Sequence, residues 1–204
     1  SKPLSVIMEK VDSEQLFSYK GHNFSKKLMK LDLIEAAEDF ETRDSDIFIG
    51  TYPKSGTIWT QNIVCLILYE GHRNGTENIL ISRRGVSIEY NIYNVDITQL
   101  PSPRVITSHL PYYLVPKTLR AKKGKVIYVY RNPKDILVSY FHYVNSLRGM
   151  ENSCNLEEHM QRFLSGNGKM EIKSLIITTL SKRAGLFVCP LGIIDNNNTQ
   201  FEAI

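Results

Sequence analysis

Three short runs of the chain are almost continuously apolar and rich in β-branched or aromatic residues. They read DIFIGTY (46–52), RVITSH (104–109) and KVIYVYR (125–131). Runs of this kind are typical of strands that are covered on both faces, as in a parallel sheet. We therefore predict three buried strands of a parallel sheet.

Three segments with helical spacing of apolar residues follow or separate these strands, at 59–69, 135–144 and 155–164. Asp135 is placed to cap the first turn of the second segment. The apolar residues that we expect to share one face are Trp59, Ile63, Leu66 and Ile67 in the first segment and, facing inward, Leu156, Met160, Phe163 and Leu164 in the third. Strands that alternate with helices predict an α/β fold with right-handed crossovers.

Polar groups follow each predicted strand at its carboxyl end. The groups are Lys54, Ser55, Gly56 and Thr57 after the first strand, Ser108 and His109 after the second, and Arg131, with Ser139 on the next helix, after the third. Ligands of open α/β sheets bind beyond the carboxyl ends of the strands. We therefore expect a lysine, an imidazole and an arginine to meet at one edge of the sheet.

Length and composition fit one globular domain. The 204 residues are 42% apolar, and 25 basic against 21 acidic residues give a net charge of +4. This mild charge suits a small anionic ligand and does not indicate nucleic acid, so the basic run at 117–125 is read as a solvated loop. The three cysteines lack metal-ligand spacing, and no signal-peptide core or uninterrupted membrane span is visible. We expect a cytoplasmic protein that binds neither membrane nor nucleic acid.

The loop KSGT after the first strand has the parts of an anion site. Gly56 allows close approach of the backbone, the following helix start offers free N–H groups, and Lys54 adds a charge. The pattern alone leaves an ordinary turn with a solvated lysine as an equal alternative. A Walker A loop is excluded because that motif has its lysine after the last glycine, whereas here Lys54 precedes Gly56.

Longer motifs carry a resemblance to a known family. TYPKSGTIWTQ, SPRVITSHLP and YRNPKDILVSYFHY resemble the cytosolic sulfotransferases that use 3′-phosphoadenosine 5′-phosphosulfate (PAPS), and YEGHRNGTE and TSHLPYYLVP are most similar to the amine sulfotransferase subfamily. The resemblance implies a P-loop-like, three-layer α/β/α fold around a parallel sheet. It also implies an enzyme that transfers a sulfuryl group from PAPS, without a metal, to an amine or hydroxyl of a small, largely apolar acceptor.

The same resemblance implies roles for individual residues. The 5′-phosphosulfate loop would comprise Lys54, Ser55, Gly56, Thr57, Ile58 and Trp59, with Arg131 and Ser139 on the 3′-phosphate. His109 would be the base, Lys54 would stabilise developing charge, and Ser139 would hold Lys54 back until the acceptor arrives. The acceptor pocket would be lined by Phe24, Ile88, Tyr90, Tyr112, Tyr143 and Leu147, for which core packing is an equal alternative. The family commonly has Thr at the position of Ile58 and Lys at that of Thr107.

The resemblance ends after Gly166. We expect residues 1–166 to form the amino-terminal part of a sulfotransferase domain, and residues 167–204 to be a divergent tail that is irregular or poorly packed. The tail resembles an alternative-splice or intron-derived end, which would leave the sheet incomplete and the family's dimer motif absent, so a monomer or an unstable chain is expected. The alternative function is therefore an inactive isoform with residual nucleotide binding.

Overall fold

A computed structural model describes residues 16–26, 29–69, 83, 85–91, 93–121, 123–146, 155–164 and 186–191. The strands are β1 (Leu16–Tyr19), β2 (His22–Ser25), β3 (Ile47–Thr51), β4 (Gly85–Ser87), β5 (Val105–Ser108), β6 (Lys125–Arg131) and β7 (Leu186–Leu191). The helices are α1 (Leu31–Glu38), α2 (Thr57–Leu68), α3 (Lys117–Arg120), α4 (Pro133–Ser146) and α5 (Leu156–Leu164), with 3₁₀ turns at Ile97–Gln99 and Tyr112–Leu114.

The central sheet has five parallel strands in the order β4-β5-β3-β6-β7. Ile47 of β3 pairs with Val105 of β5 on one side and with Lys125 of β6 on the other. After β3 the chain runs to β4 and β5 on one side, and then crosses to β6 on the other. The carboxyl end of β3 therefore lies at the switch point of the sheet, where open α/β folds bind ligands. The predicted α/β fold is confirmed.

The two faces of the sheet are packed differently. Alternate residues of each strand point to opposite faces, so Phe48 and Ile106 lie on one face and Ile49 and Val105 on the other. On the first face, α1, the antiparallel β1–β2 hairpin and the two 3₁₀ turns build the larger core. On the second face, the middle of α2 packs against the strands. These two apolar layers hold the carboxyl ends of the strands in a fixed arrangement.

Helix α2 exposes the apolar residues that were expected to share one helical face. Trp59, Ile63, Leu66 and Ile67 share one side of the helix, but their side chains are 41–72% exposed. The sheet side instead carries Thr60, Gln61, Val64 and Cys65. Polar contacts explain this orientation, because Gln61 Nε2 donates to Gly85 O at 2.6 Å and Thr60 Oγ1 donates to Gly56 O at 3.1 Å.

Helix α5 also differs from its predicted burial. Of the four residues expected inward, only Phe163 is buried, while Leu156, Met160 and Leu164 are exposed. The second buried residue is His159, one turn before Phe163, and its ring lies 5.9 Å from that of Tyr140 on α4. An imidazole that packs against aromatic rings takes the place expected for an aliphatic side chain, so hydropathy alone selected the wrong face.

The predicted strands agree closely with β3, β5 and β6, whereas β1, β2, β4 and α1 were not predicted. Part of the tail also differs from expectation, because Leu186–Leu191 forms β7 and pairs with β6 from Val126↔Leu186 to Arg131↔Leu191. The remainder of 167–204 lies outside the described residues, and the domain boundaries stay a prediction. No helix in the described part of the chain is long and apolar enough to cross a membrane.

Candidate anion site at the carboxyl edge of the sheet

The loop between β3 and α2 has the backbone shape of an anion site. Lys54 and Gly56 both adopt positive φ angles, of 69° and 106°, and the Ser55 N–H donates to Tyr52 O at 3.1 Å. A positive φ at a lysine is uncommon, and such strain is concentrated at functional sites. Helix α2 then begins at Thr57 without a side-chain cap, so the N–H groups of its first turn, which have no acceptor within the helix, are available as donors at the loop.

Ser55 supplies an independent indication of a ligand. Its side chain is fully buried, and its hydroxyl has no hydrogen-bond partner in the described part of the chain. A buried hydroxyl without a partner has lost its contact with water and gained nothing in return. A ligand oxygen at the loop would satisfy it, so the loop fits an oxyanion.

Two cations meet beside this loop. Arg131, the last residue of β6, donates from Nη1 to Lys54 O at 3.3 Å. Burial, and then the nearby Arg131, lower the pKa of Lys54 below its ordinary value of 10.5. The Asp135 carboxylate lies 3.8 Å from Arg131 Nε and offsets part of the charge. Like charges held near each other are unfavourable unless an anion lies between them, so the pair indicates an anion-binding edge.

The ammonium of Lys54 lies over the ring of Tyr143, with Nζ 4.3 Å from the ring centroid. Cation–π contacts of this length hold an ammonium in one position. The expected partner of Lys54 was Ser139, one turn earlier on α4, but no hydrogen bond joins Ser139 to Lys54. The contact of Lys54 that the structure shows is therefore with Tyr143, and the role of Ser139 stays a prediction.

His109 follows β5 and is held at both its ring and its backbone. Its Nδ1 lies 2.9 Å from Thr51 O and 3.0 Å from Thr51 Oγ1, and its backbone N–H donates to Glu89 Oε1 at 2.6 Å. A carbonyl oxygen can only accept, so Nδ1 carries the hydrogen and the neutral ring keeps its lone pair on Nε2. An imidazole in this tautomer can accept a proton at Nε2.

Thr51 and Glu89 were missed by the sequence analysis although both are fully buried at this edge. Thr51 Oγ1 lies 2.7 Å from Thr57 Oγ1 and joins the loop to the histidine. Thr51 stands at the start of the quoted motif TYPKSGT, which was the available signal. Glu89 is a single acidic residue directly after Ile88, and its second oxygen has no partner among the described residues.

The predicted acceptor residues divide into two groups. Phe24 and Ile88 are 3% and 5% exposed and belong to the large core, against which Tyr112 packs. Tyr143 lies beside Lys54, and burial, followed by the proximity of Tyr90, raises the pKa of Tyr143. Leu147 lies outside the described residues. Among the described residues of this set, Tyr143 contacts Lys54 at the charged edge and Tyr90 lies near Tyr143.

The loop residues Ile58 and Trp59 point outward from the start of α2, with side chains 60% and 70% exposed. Within the described residues, no group of three or more His, Cys, Asp or Glu side chains could hold a metal ion. The edge therefore presents free N–H groups, two cations, an unpartnered hydroxyl, an oriented imidazole and an exposed aromatic ring. These groups can bind an aromatic anion and move a proton.

Comparison with known proteins identifies the class to which this fold and edge belong. Residues 44–175 match the family model described as Sulfotransferase domain, and the chain belongs to that family. It is 53% identical over 151 residues to the amine sulfotransferase of Oryctolagus cuniculus, covering 74% of this chain and 50% of the relative. It is 38% identical to human sulfotransferase 2B1, covering 80% of this chain and 45% of that protein. The chain spans about half the length of the curated relatives it matches.

Solved structures agree with the fold. The crystal structure of mouse sulfotransferase SULT7A1 complexed with PAP superposes with a TM-score of 0.68 at 25% identity, covering 86% of this chain and 61% of that one. Retinol dehydratase in a complex with retinol and PAP gives a TM-score of 0.69 at 19% identity, covering 83% and 60%. At that identity the second likeness shows the fold alone.

Proposed function

We propose that this chain forms the donor-binding and proton-accepting part of a cytoplasmic, PAPS-dependent sulfotransferase. The acceptor would be an amine or hydroxyl of a small, largely apolar molecule. The observation that carries the proposal is that Lys54, His109 and Arg131 follow or end the adjacent parallel strands β3, β5 and β6 at the switch point, where the buried Ser55 hydroxyl has no partner among the described residues. An amine acceptor is supported by the 53% identity to an amine sulfotransferase.

The residues at the edge fit the donor. The N–H groups at the start of α2, with Ser55, Thr57 and Lys54, would hold the 5′-phosphosulfate, because helix N-termini and cations bind such anions. Arg131 and Ser139 would hold the 3′-phosphate, and the exposed ring of Trp59 would stack on the adenine. The bound donor supplies an activated sulfuryl group. No metal is needed in this account, since Lys54 and Arg131 supply the positive charge.

His109 would take the proton from the acceptor at Nε2, because Thr51 holds the hydrogen at Nδ1. Lys54 would stabilise the negative charge that develops as the acceptor reacts. Tyr143 keeps the ammonium of Lys54 beside the site before the anion arrives. The contribution of these residues is positioning and charge stabilisation rather than covalent chemistry.

Calorimetric titration with 3′-phosphoadenosine 5′-phosphate tests the donor site. Lys54→Met and Arg131→Ala each remove a charge-assisted contact worth about 1.5–3 kcal/mol, so each should weaken binding about 10–100-fold. Lys117→Ala is the matched control, because this lysine pairs with Asp39 on the surface and its loss should leave binding unchanged. Undiminished binding in both site variants would refute the assignment.

A radiolabelled sulfate-transfer assay on an aryl amine tests the base. His109→Ala should abolish transfer while nucleotide binding is retained. Nucleotide binding without any transfer by the unmodified chain would instead support the alternative, an inactive form that retains a nucleotide site.

A further inference from the structure

We propose that Thr51 is a positioning residue that couples the donor loop to the base. Its hydroxyl links Thr57, in the loop, to the imidazole of His109, so that an anion bound at Thr57 fixes the orientation of the ring. This inference rests on the proposed function, in which Thr57 contacts the donor and His109 accepts the proton.

Thr51 contacts both partners directly. It is the last residue of the central strand β3 and its side chain is fully buried. Its Oγ1 lies 2.7 Å from Thr57 Oγ1 and 3.0 Å from His109 Nδ1, and its carbonyl oxygen lies 2.9 Å from the same Nδ1. Thr57 begins α2 and His109 follows β5, so the end of β3 bridges two elements that are distant in sequence.

The hydrogen bonds that join His109, Thr51 and Thr57 have a preferred direction of donation. Nδ1 of His109 carries a hydrogen, since the Thr51 carbonyl can only accept, and that hydrogen also reaches Thr51 Oγ1. Thr51 then has its own hydroxyl hydrogen left to give, and Thr57 Oγ1 is the acceptor at hydrogen-bond distance. The reverse order would leave the Thr51 hydrogen buried without an acceptor, which is unfavourable.

This order leaves the hydroxyl hydrogen of Thr57 directed to a ligand. Thr57 is half-buried at the start of the helix, beside the free N–H groups of the first turn. An anion that accepts this hydrogen polarises Thr57, Thr51 and the imidazole in turn, because hydrogen bonds in series strengthen one another. Donor binding would thus tighten the contact that keeps the hydrogen on Nδ1 and the lone pair on Nε2.

Glu89 has a different part in holding the histidine. Its Oε1 accepts from the backbone N–H of His109 and makes no hydrogen bond to the ring. The carboxylate therefore fixes where the residue sits, whereas Thr51 fixes how the ring is oriented. The hydroxyl of Thr51 joins the donor loop to the ring. Its removal should therefore uncouple the His109 ring from donor binding while the donor loop and the imidazole both remain.

The test compares Thr51→Val with Thr51→Ser in protein labelled with ¹⁵N-histidine. Ring ¹⁵N signals distinguish the two imidazole tautomers, and the signal of His109 among the five histidines is assigned by its loss in His109→Gln. Titration with 3′-phosphoadenosine 5′-phosphate should shift the Nδ1 signal of His109 in the unmodified protein and in Thr51→Ser. Thr51→Val should weaken nucleotide binding only about threefold, and its ring signals should no longer respond.

An equal shift of the His109 ring ¹⁵N signals in Thr51→Val would overturn the inference. So would the absence of any shift in unmodified protein that binds the nucleotide. Calorimetry on the same samples separates this failure from that of the proposed function, because absence of nucleotide binding to the unmodified protein refutes both. Thr51→Ser keeps the hydroxyl and guards against a folding defect of the valine variant. Thr57→Val removes the outer end of the chain and should abolish the ring response as well.

Discussion

Charged groups are paired at the amino ends of the central strands and incompletely paired at the carboxyl ends. At the amino ends, Asp46 precedes β3 and Arg104 precedes β5, and both are buried. Arg104 Nε donates to Asp46 Oδ1 at 2.8 Å and Nη2 donates to Oδ2 at 2.5 Å. The remaining guanidinium hydrogen bonds go to the carbonyl oxygens of Ile97 and Glu41. Opposite charges there satisfy each other within the protein.

The carboxyl ends of the same strands leave their polar groups incomplete. Lys54 and Arg131 carry the same charge and lie close together, and the buried oxygens Ser55 Oγ and Glu89 Oε2 have no partner among the described residues. Along its strands, one sheet therefore has paired charges at one end and, within the described residues, unpaired polar groups at the other. Groups at the amino edge are completed by the fold, whereas under the proposed function the Ser55 hydroxyl and the two cations at the carboxyl edge would be completed by the donor.

Removing the buried ion pair at the amino edge should give the largest change, a loss of stability. Asp46→Ala leaves the Arg104 guanidinium buried without its counter-ion, so the free energy of unfolding should fall by about 3–5 kcal/mol. Urea denaturation measures this loss. Asp39→Ala, in the exposed pair with Lys117, is the control and should unfold like the unmodified protein. Equal losses of unfolding free energy in the two variants would contradict the importance of the buried pair at the amino edge. Weakened nucleotide binding by folded Asp46→Ala would contradict the distinction between the edges.

Protein stability and nucleotide affinity should depend on pH in opposite directions because of Lys54 at the carboxyl edge. The pKa of Lys54 is lowered in the folded protein, so between that pKa and 10.5 the unfolded chain holds a proton that the folded chain has released. The stability of the unliganded protein should therefore gain from Lys54 as pH rises through this window. An anion binds the protonated lysine, so nucleotide affinity should fall over the same window, by at most about tenfold per pH unit.

Calorimetry and thermal unfolding across this pH range measure both trends. Lys54→Met, which has no ionisable group, should lose the part of each dependence that is due to this lysine. If the variant keeps the unmodified pH dependence of nucleotide affinity, Lys54 does not contact the anion.

The smallest effect concerns the unpartnered hydroxyl. Ser55→Ala removes a buried group that has no hydrogen bond, so stability should be unchanged or rise by up to about 1 kcal/mol. Nucleotide affinity should nevertheless fall about 2–10-fold, because the ligand loses a donor. Thr42→Val is the control, since Thr42 Oγ1 accepts from Thr118 inside the fold and its loss should reduce stability alone. If Ser55→Ala lost stability but kept its nucleotide affinity, or Thr42→Val lost affinity but kept its stability, Ser55 would not belong to the ligand site.

The sequence predicted those parts of the fold in which a local pattern sufficed. Residues 125–131 were expected as a strand and form β6 with the same bounds, because a run buried on both faces is apolar throughout. The three-residue strand β4 is too short to leave a comparable pattern. The orientation of α2 was not predictable from hydropathy, since Gln61 reaches Gly85 O, 24 residues away, and turns polar residues toward the sheet.

The candidate site was predicted in its components but not in its contacts. The strand ends indicated that Lys54, His109 and Arg131 would meet, because parallel strands end at one edge. The link from Thr51 to His109 joins residues 58 positions apart, and no spacing rule reports such a contact. For Phe24 and Ile88, an apolar residue type is compatible with both a pocket and a core, and only the packed structure placed them in the core.

Backbone amide shift mapping with 3′-phosphoadenosine 5′-phosphate tests the separation of the edges most directly. We expect saturable shifts centred on residues 54–60 and on Arg131, with Asp46 and Arg104 unaffected. Shifts centred on the amino edge, or no saturable shift at the carboxyl edge, would contradict it.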